Sequence, residues 1–435
     1  MIFDRSLELR DPFHQRIPGG SHTYAKGEDQ FPENMAPFIV RGLGSHVWDV
    51  DGNEYIEYGS GLRSVGLGHA YPPVVEAATR QLTLGANFVR PAPIELECAE
   101  LLASIVPSAE MVKFSKDGSD ATTGAVRLAR AATGRDVVAV CQSHPFFSVD
   151  DWFIGTTGMP AGVPSDVRNL TTGFLYNDLA SLEAVFATHP GRVAAVILEA
   201  EKETPPAPGF LEGVRALCDS HGTVLVLDEM ITGFRWHLSG AQAFHDLRPD
   251  LSTFGKAMAN GFSVSALCGR RDIMELGGLR TDQERVFLLS TTHGAETHGL
   301  AAAIATMNIY RSEPVIETVW ERGSQLAEGL GQVLAQAGVS DQVPILGRPC
   351  ALVFGTRDEQ GQPSQEFRTL LMQELISRGI LATSLVVGYS HTREDIERTV
   401  QAFAEAAVVY RRALDEGIGA YLRGRPVKPA MRRYV

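Results

Sequence analysis

The chain is poor in cysteine, has no long apolar run and carries no excess of basic charge. Its five cysteines in 435 residues (Cys98, Cys141, Cys218, Cys268, Cys350) are scattered, odd in number and never spaced as CxxC. A disulfide framework and a thiolate zinc site are therefore not indicated, and a reducing, cytoplasmic setting is expected. Nowhere do eighteen apolar residues run together, and the opening MIFDRSLELRDPFHQR has charges in its first five positions and no apolar core. Neither a membrane span nor a secretory leader is expected from such a pattern. The formal net charge is −13 with no basic block to offset it, which argues against a nucleic-acid partner. The one basic stretch, over residues 422 to 434 with Arg423, Arg425, Lys428, Arg432 and Arg433, reads as a solvated or subunit-docking tail. GxGxxG does not follow the first strand-like run and GxxxxGK[ST] occurs nowhere, which disfavours a nicotinamide dehydrogenase and a nucleotide kinase.

What is present is enough apolar material, 44% of the chain, for a large domain and a smaller one. Short apolar runs at 111–114, 136–141, 193–199, 224–227 and 264–268 alternate with helix-like stretches, and such alternation predicts an α/β fold with a mostly parallel sheet covered on both faces. Before them, Phe38-Ile39-Val40, residues 46–50 and Tyr55-Ile56-Glu57-Tyr58 read as a meander with an Asp51-Gly52 turn. After them, helices are expected at 315–337, 367–377 and 392–414, with Ala351-Leu352-Val353-Phe354 as a strand. The expected division is an N-terminal segment (1–75) joining a small domain, a large domain (76–310) and a C-terminal small α+β domain (311–435).

The chemistry centres on residues 221–256. The buried-strand run at 224–227 ends in Asp228-Glu229, and Lys256 follows 28 positions after Asp228 among small neighbours (Gly255, Ala257, Ala259, Gly261). In α/β proteins the carboxyl ends of parallel strands form the ligand crevice, where acid and amine can meet. A pyridine cofactor acting as an electron sink needs both: a lysine to hold it as a Schiff base and a carboxylate to keep its ring nitrogen protonated. Taken singly, Asp228 reads as a helix cap and Lys256 as a surface lysine. A third element is Lys116-Asp117-Gly118-Ser119-Asp120-Ala121, a glycine turn opening a helix, whose unpaired amides favour an anion such as a phosphate.

The order of Asp228-Glu229, Gly233-Phe234-Arg235 and Pro249-Asp250-Leu251 before Gly255-Lys256 resembles the class III (ω-type) pyridoxal-phosphate aminotransferases, and within them the glutamate-1-semialdehyde aminomutase branch. The resemblance runs from Pro18-Gly19-Gly20 to His391-Thr392-Arg393-Glu394-Asp395. It implies a fold-type I enzyme with a seven-stranded-type sheet, pyridoxal 5′-phosphate as cofactor, and a homodimer with shared active sites. Lys256 and Asp228 would be the catalytic pair, with Gly118 and Ser119 at the phosphate and Met230 under the ring. Phe146 would cover the other face, Glu199 would join the network around the ring hydroxyl, and Thr292 would reach the partner subunit's cofactor. The chain departs from the family at Asp117 and Asp120, where Ser and Glu are usual, and Phe147 stands where the family has histidine. A carboxylate at Asp117 beside a phosphate is unfavourable, so its side chain is expected to point away. The amine of Lys256, displaced by an amino donor, would move a proton between the substrate carbon and the cofactor, in ping-pong kinetics.

The arginine that anchors a carboxylate in the aminomutase branch is matched by Lys26, and the tryptophan before Gly-His is replaced in the region of Leu62 and Arg63. Lysine lacks the bidentate fork, so the exchange is not conservative. The stretches HTYAKG, HPFF and DDWFIGTT resemble aminotransferases of sugar and aminocyclitol pathways, with His22, Tyr24, Lys26 and Arg63 as polar substrate lining and glutamate as the implied donor. Two alternatives stand beside this reading: an aminomutase acting within one molecule, and a cofactor-binding protein without catalysis. His293 and His298 lack a second nearby acid beyond Glu296, so no metal is expected.

Overall fold

A computed structural model describes residues 1–142, 144 and 146–433. The chain forms two compact units, one of Met1–Leu62, Leu67–Tyr71 and Glu317–Val435, the other of Arg63–Gly66 and Pro72–Ile316. Among the described residues no helix is long and apolar enough to cross a membrane.

The first unit opens on the helix Asp4–Arg16 and an antiparallel meander of β1 (Ile39–Leu43), β2 (His46–Asp49) and β3 (Glu54–Glu57). The β2–β3 turn forms where the sequence pattern places it, because Gly52 takes φ +85° and Asp49 organises the loop. The Asp49 carboxylate accepts the N–H groups of Asp51 and Asn53 at 3.0 and 2.8 Å and the Tyr55 hydroxyl at 2.8 Å.

The second unit is built on seven strands: β4 (Met111–Ser115), β5 (Val137–Cys141), β6 (Thr171–Phe174), β7 (Val193–Leu198), β8 (Val224–Asp228), β9 (Leu251–Phe254) and β10 (Ser265–Gly269). They lie in the order β4-β10-β9-β8-β7-β5-β6. From β6 through β9 all neighbours are parallel, and β10 alone runs antiparallel, to β9 and to β4. Every residue of β5, β7, β8, β9 and β10 is buried, as a sheet covered on both faces requires. Among the helices, Gly118–Thr133 packs Ala121, Ala125 and Leu128 against Val138, Ile197, Val226 and Leu267. Two strands fall outside the expected apolar runs: β6, whose Thr-Thr-Gly-Phe lies at the sheet edge with only Phe174 buried, and β9, whose Leu-Ser-Thr-Phe buries two hydroxyl side chains, Ser252 and Thr253, that break the run.

The rest of the first unit adds β11 (Ile345–Leu346), β12 (Val353–Phe354) and β13 (Ile380–Leu381), with helices Gln365–Ser377 and Arg393–Glu416. β13 pairs in parallel with β3, Ile380 opposite Ile56, so both ends of the chain contribute to one four-stranded sheet. The strand expected at 351–354 shortens to Val353–Phe354 because Pro349 starts a 3-10 turn that runs through Ala351. Thr392 caps the last long helix through the N–H of Asp395, and the Asp395 carboxylate returns the bond to the Thr392 N–H at 2.9 Å. The basic tail is not left to solvent. Lys428 N–H donates to Asp29 C=O at 2.9 Å, Arg432 pairs with the Asp29 carboxylate, and Val427 is buried; the tail's Tyr434 lies outside the described residues.

The Pro-Asp-Leu element has a structural reason. Asp250, buried at the start of β9, accepts the Leu225 N–H of β8 at 2.8 Å, Arg215 at 2.9 Å and Arg270 at 2.7 Å, tying three neighbouring elements to one carboxylate. Removing it strands a largely buried guanidinium and an unpaired strand amide. Asp250→Ala is expected to lower the unfolding free energy by about 2–4 kcal/mol in urea titrations; a change within 0.5 kcal/mol, the size of an ordinary surface substitution, would refute this role.

Candidate active site

β8 and β9 run parallel with Asp228 opposite Thr253, so the acid ends one strand beside the strand that leads to Lys256. One oxygen of Asp228 is satisfied from within: Oδ1 accepts the Met230 N–H at 2.9 Å and the Thr253 hydroxyl at 3.0 Å. Among the described residues Oδ2 accepts nothing, although the residue is 3% exposed. The adjacent Glu229 is fully buried and wholly structural, accepting the N–H groups of Ala241 and Gln242 at 2.8 Å each and the Thr232 hydroxyl, which closes the loop after β8.

Lys256 takes φ +48°, a left-handed conformation that costs a non-glycine residue strain and concentrates at functional sites. Its amine has no hydrogen-bond partner among the described residues, and the residue is partly exposed. Burial first, then the nearby charges of Arg63 and Arg235, pull its ammonium below the ordinary lysine range, against the opposing pull of Asp228 and Glu199. Burial likewise raises the Asp228 carboxyl, which Lys256, the Met230 N–H and Thr253 hold back.

Glycines shape the crevice floor. A Cβ on Gly118 would stand 3.1 Å from Met230 Sδ, and one on Gly255 would stand 2.8 Å from the same sulfur, so Met230 packs between the helix start and the residue before Lys256. Ser119 is buried and its hydroxyl accepts the Val149 N–H at 3.1 Å. Asp117 does not point away as expected. It caps the helix, its Oδ1 accepting the N–H groups of Ser119 and Asp120 at 2.9 and 3.1 Å, because a carboxylate is the strongest acceptor the chain itself offers these amides.

Glu199 follows β7, 4% exposed, with Oε2 buried and unpartnered. Burial raises its carboxyl to about 7, against the attraction of Lys202, Lys256 and Arg63. Its N–H donates to His144 Nδ1 at 3.0 Å. Burial and Lys202 push that imidazole down to about 3, so it is neutral and its remaining proton belongs on Nε2. Sequence reasoning gave no role to His144, Thr253 or Arg235, although His144 opens the HPFF stretch and Arg235 closes Gly233-Phe234-Arg235. Phe146 is 46% exposed with its ring 5.8 Å from Phe153, whereas Phe147 is core; Pro145 lies outside the described residues. Thr292 is exposed, its C=O accepting from Asn87 at 2.9 Å. His22, Tyr24 and Lys26 are exposed residues of the other unit, where His22 and Lys26 line a cavity of about 620 Å³.

A partly buried amine, a carboxylate with one oxygen in reserve and a second, buried acid at the carboxyl ends of parallel strands suit a cofactor that must be covalently held and ring-protonated. The residues fit pyridoxal phosphate: Asp228 Oδ2 is the acceptor a pyridinium N–H requires, and the unpartnered Glu199 oxygen is a further acceptor.

Fold and site thus define a fold-type I pyridoxal-phosphate enzyme. The aminotransferase class-III family model matches residues 24–406, and the chain belongs to that family. It is 33% identical over 422 residues, 92% of its length and 96% of the other's, to glutamate-1-semialdehyde 2,1-aminomutase of Desulforamulus reducens. Among solved structures it is similar to the FumI protein of Sphingopyxis sp. MTA144 in its pyridoxal-phosphate-bound form (TM-score 0.87, 27% identity, 97% and 99% of the two chains). An ω-transaminase from Sphaerobacter thermophilus is also similar (TM-score 0.83, 26% identity, 93% and 97%). The enzyme is an aminotransferase or aminomutase using pyridoxal phosphate.

The raised Glu199 carboxyl has a stability consequence. The folded protein holds that proton more tightly than the unfolded chain, so the contribution is complete below the ordinary glutamate range and is lost as pH rises through about 7. Glu199→Gln, neutral throughout, is expected to gain on the wild type by on the order of 1–3 kcal/mol between pH 5 and pH 8 in melts of the cofactor-free protein. A pH-independent difference would count against it.

Proposed function

We propose that the enzyme is an aminotransferase that takes an amino group from an external donor, glutamate first among candidates, and places it on a keto or aldehyde carbon of a small polyhydroxylated, sugar-like or cyclitol-like acceptor. The observation that carries the amino-transfer chemistry is the partly buried, strained Lys256, hydrogen-bonded to no described residue, beside the buried Asp228. When bound, pyridoxal phosphate supplies an aldehyde for amines and an electron-accepting ring. Lys256 would hold it and, with its ammonium depressed by burial, serve as the base at the substrate carbon. Asp228 would keep the ring nitrogen protonated through Oδ2, Thr253 and the Met230 N–H fixing its orientation through Oδ1. Gly118 and Ser119 would take the phosphate, Asp117 yielding its amide bonds; Met230 and Phe146 would cover the ring faces, and Glu199 would meet the ring hydroxyl.

The acceptor class rests on His22, Tyr24, Lys26 and Arg63, polar side chains of which Lys26 stands where the aminomutase branch has arginine. The rival aminomutase reading is favoured by the names of the curated relatives, which match along more than nine-tenths of the chain. Turnover of an aldehyde or ketone that requires added donor supports amino transfer between molecules. Turnover without donor supports the aminomutase. Lys256→Ala is expected to abolish the borohydride-sensitive violet absorbance and lower turnover at least 10²–10⁴-fold; a retained band would refute the assignment of Lys256.

A homodimer with Thr292 reaching the partner's cofactor is part of the same reading. Thr292 is stitched through Asn87 to a segment exposing Leu84, Phe88 and Val89, the last wholly, which suits an interface. Val89→Glu combined with Phe88→Glu is expected to give monomers in sedimentation velocity; a dimer of unchanged stability would exclude this surface.

A further inference from the structure

Ser60, Gly61, Leu62 and Arg63 take φ of +47°, +55°, +59° and +68°, a left-handed turn containing three non-glycine residues. Such a run is strained for L residues and persists only where its surroundings over-determine it. Part of that determination is visible: Arg235 Nη2 donates to the Arg63 C=O at 2.8 Å, while Arg235 Nε donates to the C=O of Ile231 at 3.2 Å, three residues beyond Asp228. The backbone of Arg63 is thereby tied to the loop that carries the catalytic acid.

Its side chain is spent on nothing. Among the described residues the Arg63 guanidinium makes no hydrogen bond or ion pair, though the residue is no more than partly exposed and its nitrogens are not sealed off. Burial makes its charge harder to hold, with Glu199 and Glu203 the acids that favour it, and the same charge opposes protonation of Lys256. An uncommitted, partly buried guanidinium gains most from a planar anion that its fork can grip with two hydrogen bonds, and it stands within electrostatic reach of the reacting amine.

Resting on the aminotransferase reading above, we propose that Arg63 binds the carboxylate of the amino donor, making the donor an amino acid whose carboxylate lies on or near the carbon that reacts at Lys256. Arg63 is then the residue that separates amino acids from plain amines.

The test is the donor half-reaction of the cofactor-loaded enzyme, followed by loss of the violet band, with matched pairs: alanine against ethylamine and phenylalanine against 2-phenylethylamine, glutamate alongside. In Arg63→Ala the half-saturating concentration is expected to rise at least tenfold more for each amino acid than for its matched amine. Arg63→Lys should recover part of that difference. Equal losses for amino acid and amine, a wild type that prefers the amines, or failure of Arg63→Ala to retain cofactor would each overturn the proposal. A wild type that shows the band but converts with no donor overturns the aminotransferase reading itself, and this one with it.

Discussion

The second unit is organised around one electrostatic constraint: the buried Asp228 and Glu199 and the partly buried Lys256 and Arg63 lie within each other's field without pairing off among themselves. Buried charges without partners are expensive, and a fold retains them only where something outside the chain completes them. A cationic ring nitrogen, an aldehyde carbon and a ring oxygen would complete three of them at once. The sheet makes this placement possible because parallel strands deliver their carboxyl ends to one edge, so residues far apart in sequence meet there.

The layer behind these groups is satisfied with unusual economy. Each buried acid that is not left open is closed off completely: Glu229 by two amides and a hydroxyl, Asp250 by an amide and two arginines. Asp228 is divided, one oxygen bound and one in reserve. That contrast separates the closed acids from the open one more sharply than burial does, since all three are buried.

The sequence made the α/β class readable because β5, β7, β8 and β10 are continuous apolar runs, and it made Asp228 and Lys256 readable because each interrupts such surroundings abruptly. It hid β6, whose edge position removes the apolar signature, and β9, whose run is broken by the buried Ser252 and Thr253. It also hid His144 and Thr253, whose contributions are a ring nitrogen facing one backbone amide and a hydroxyl facing one carboxylate oxygen. Neither residue type is distinctive at its position; only the register of β8 against β9, and the fold of the segment after β5, brings them to the acids. Asp117 shows the converse: the residue was conspicuous, but its direction depended on whether the helix amides or a phosphate would claim them, and the amides are what the chain itself provides.

Cofactor and substrate are therefore specified by different kinds of residue. The acid and amine needed to run a pyridine cofactor match the family pattern and are locked by backbone register, so tolerance for change there is small. Two side chains expected to line the substrate are long and flexible or set on irregular backbone: Lys26, exposed, and Arg63, on a left-handed turn. A fork-shaped cation such as Arg63 and a point charge such as Lys26 grip different anions, and exchanging one for the other leaves the acid and amine of the sheet untouched. A chain of this family can thus keep its chemistry and change its substrate, and a third of identical residues spread along the whole length is compatible with either outcome.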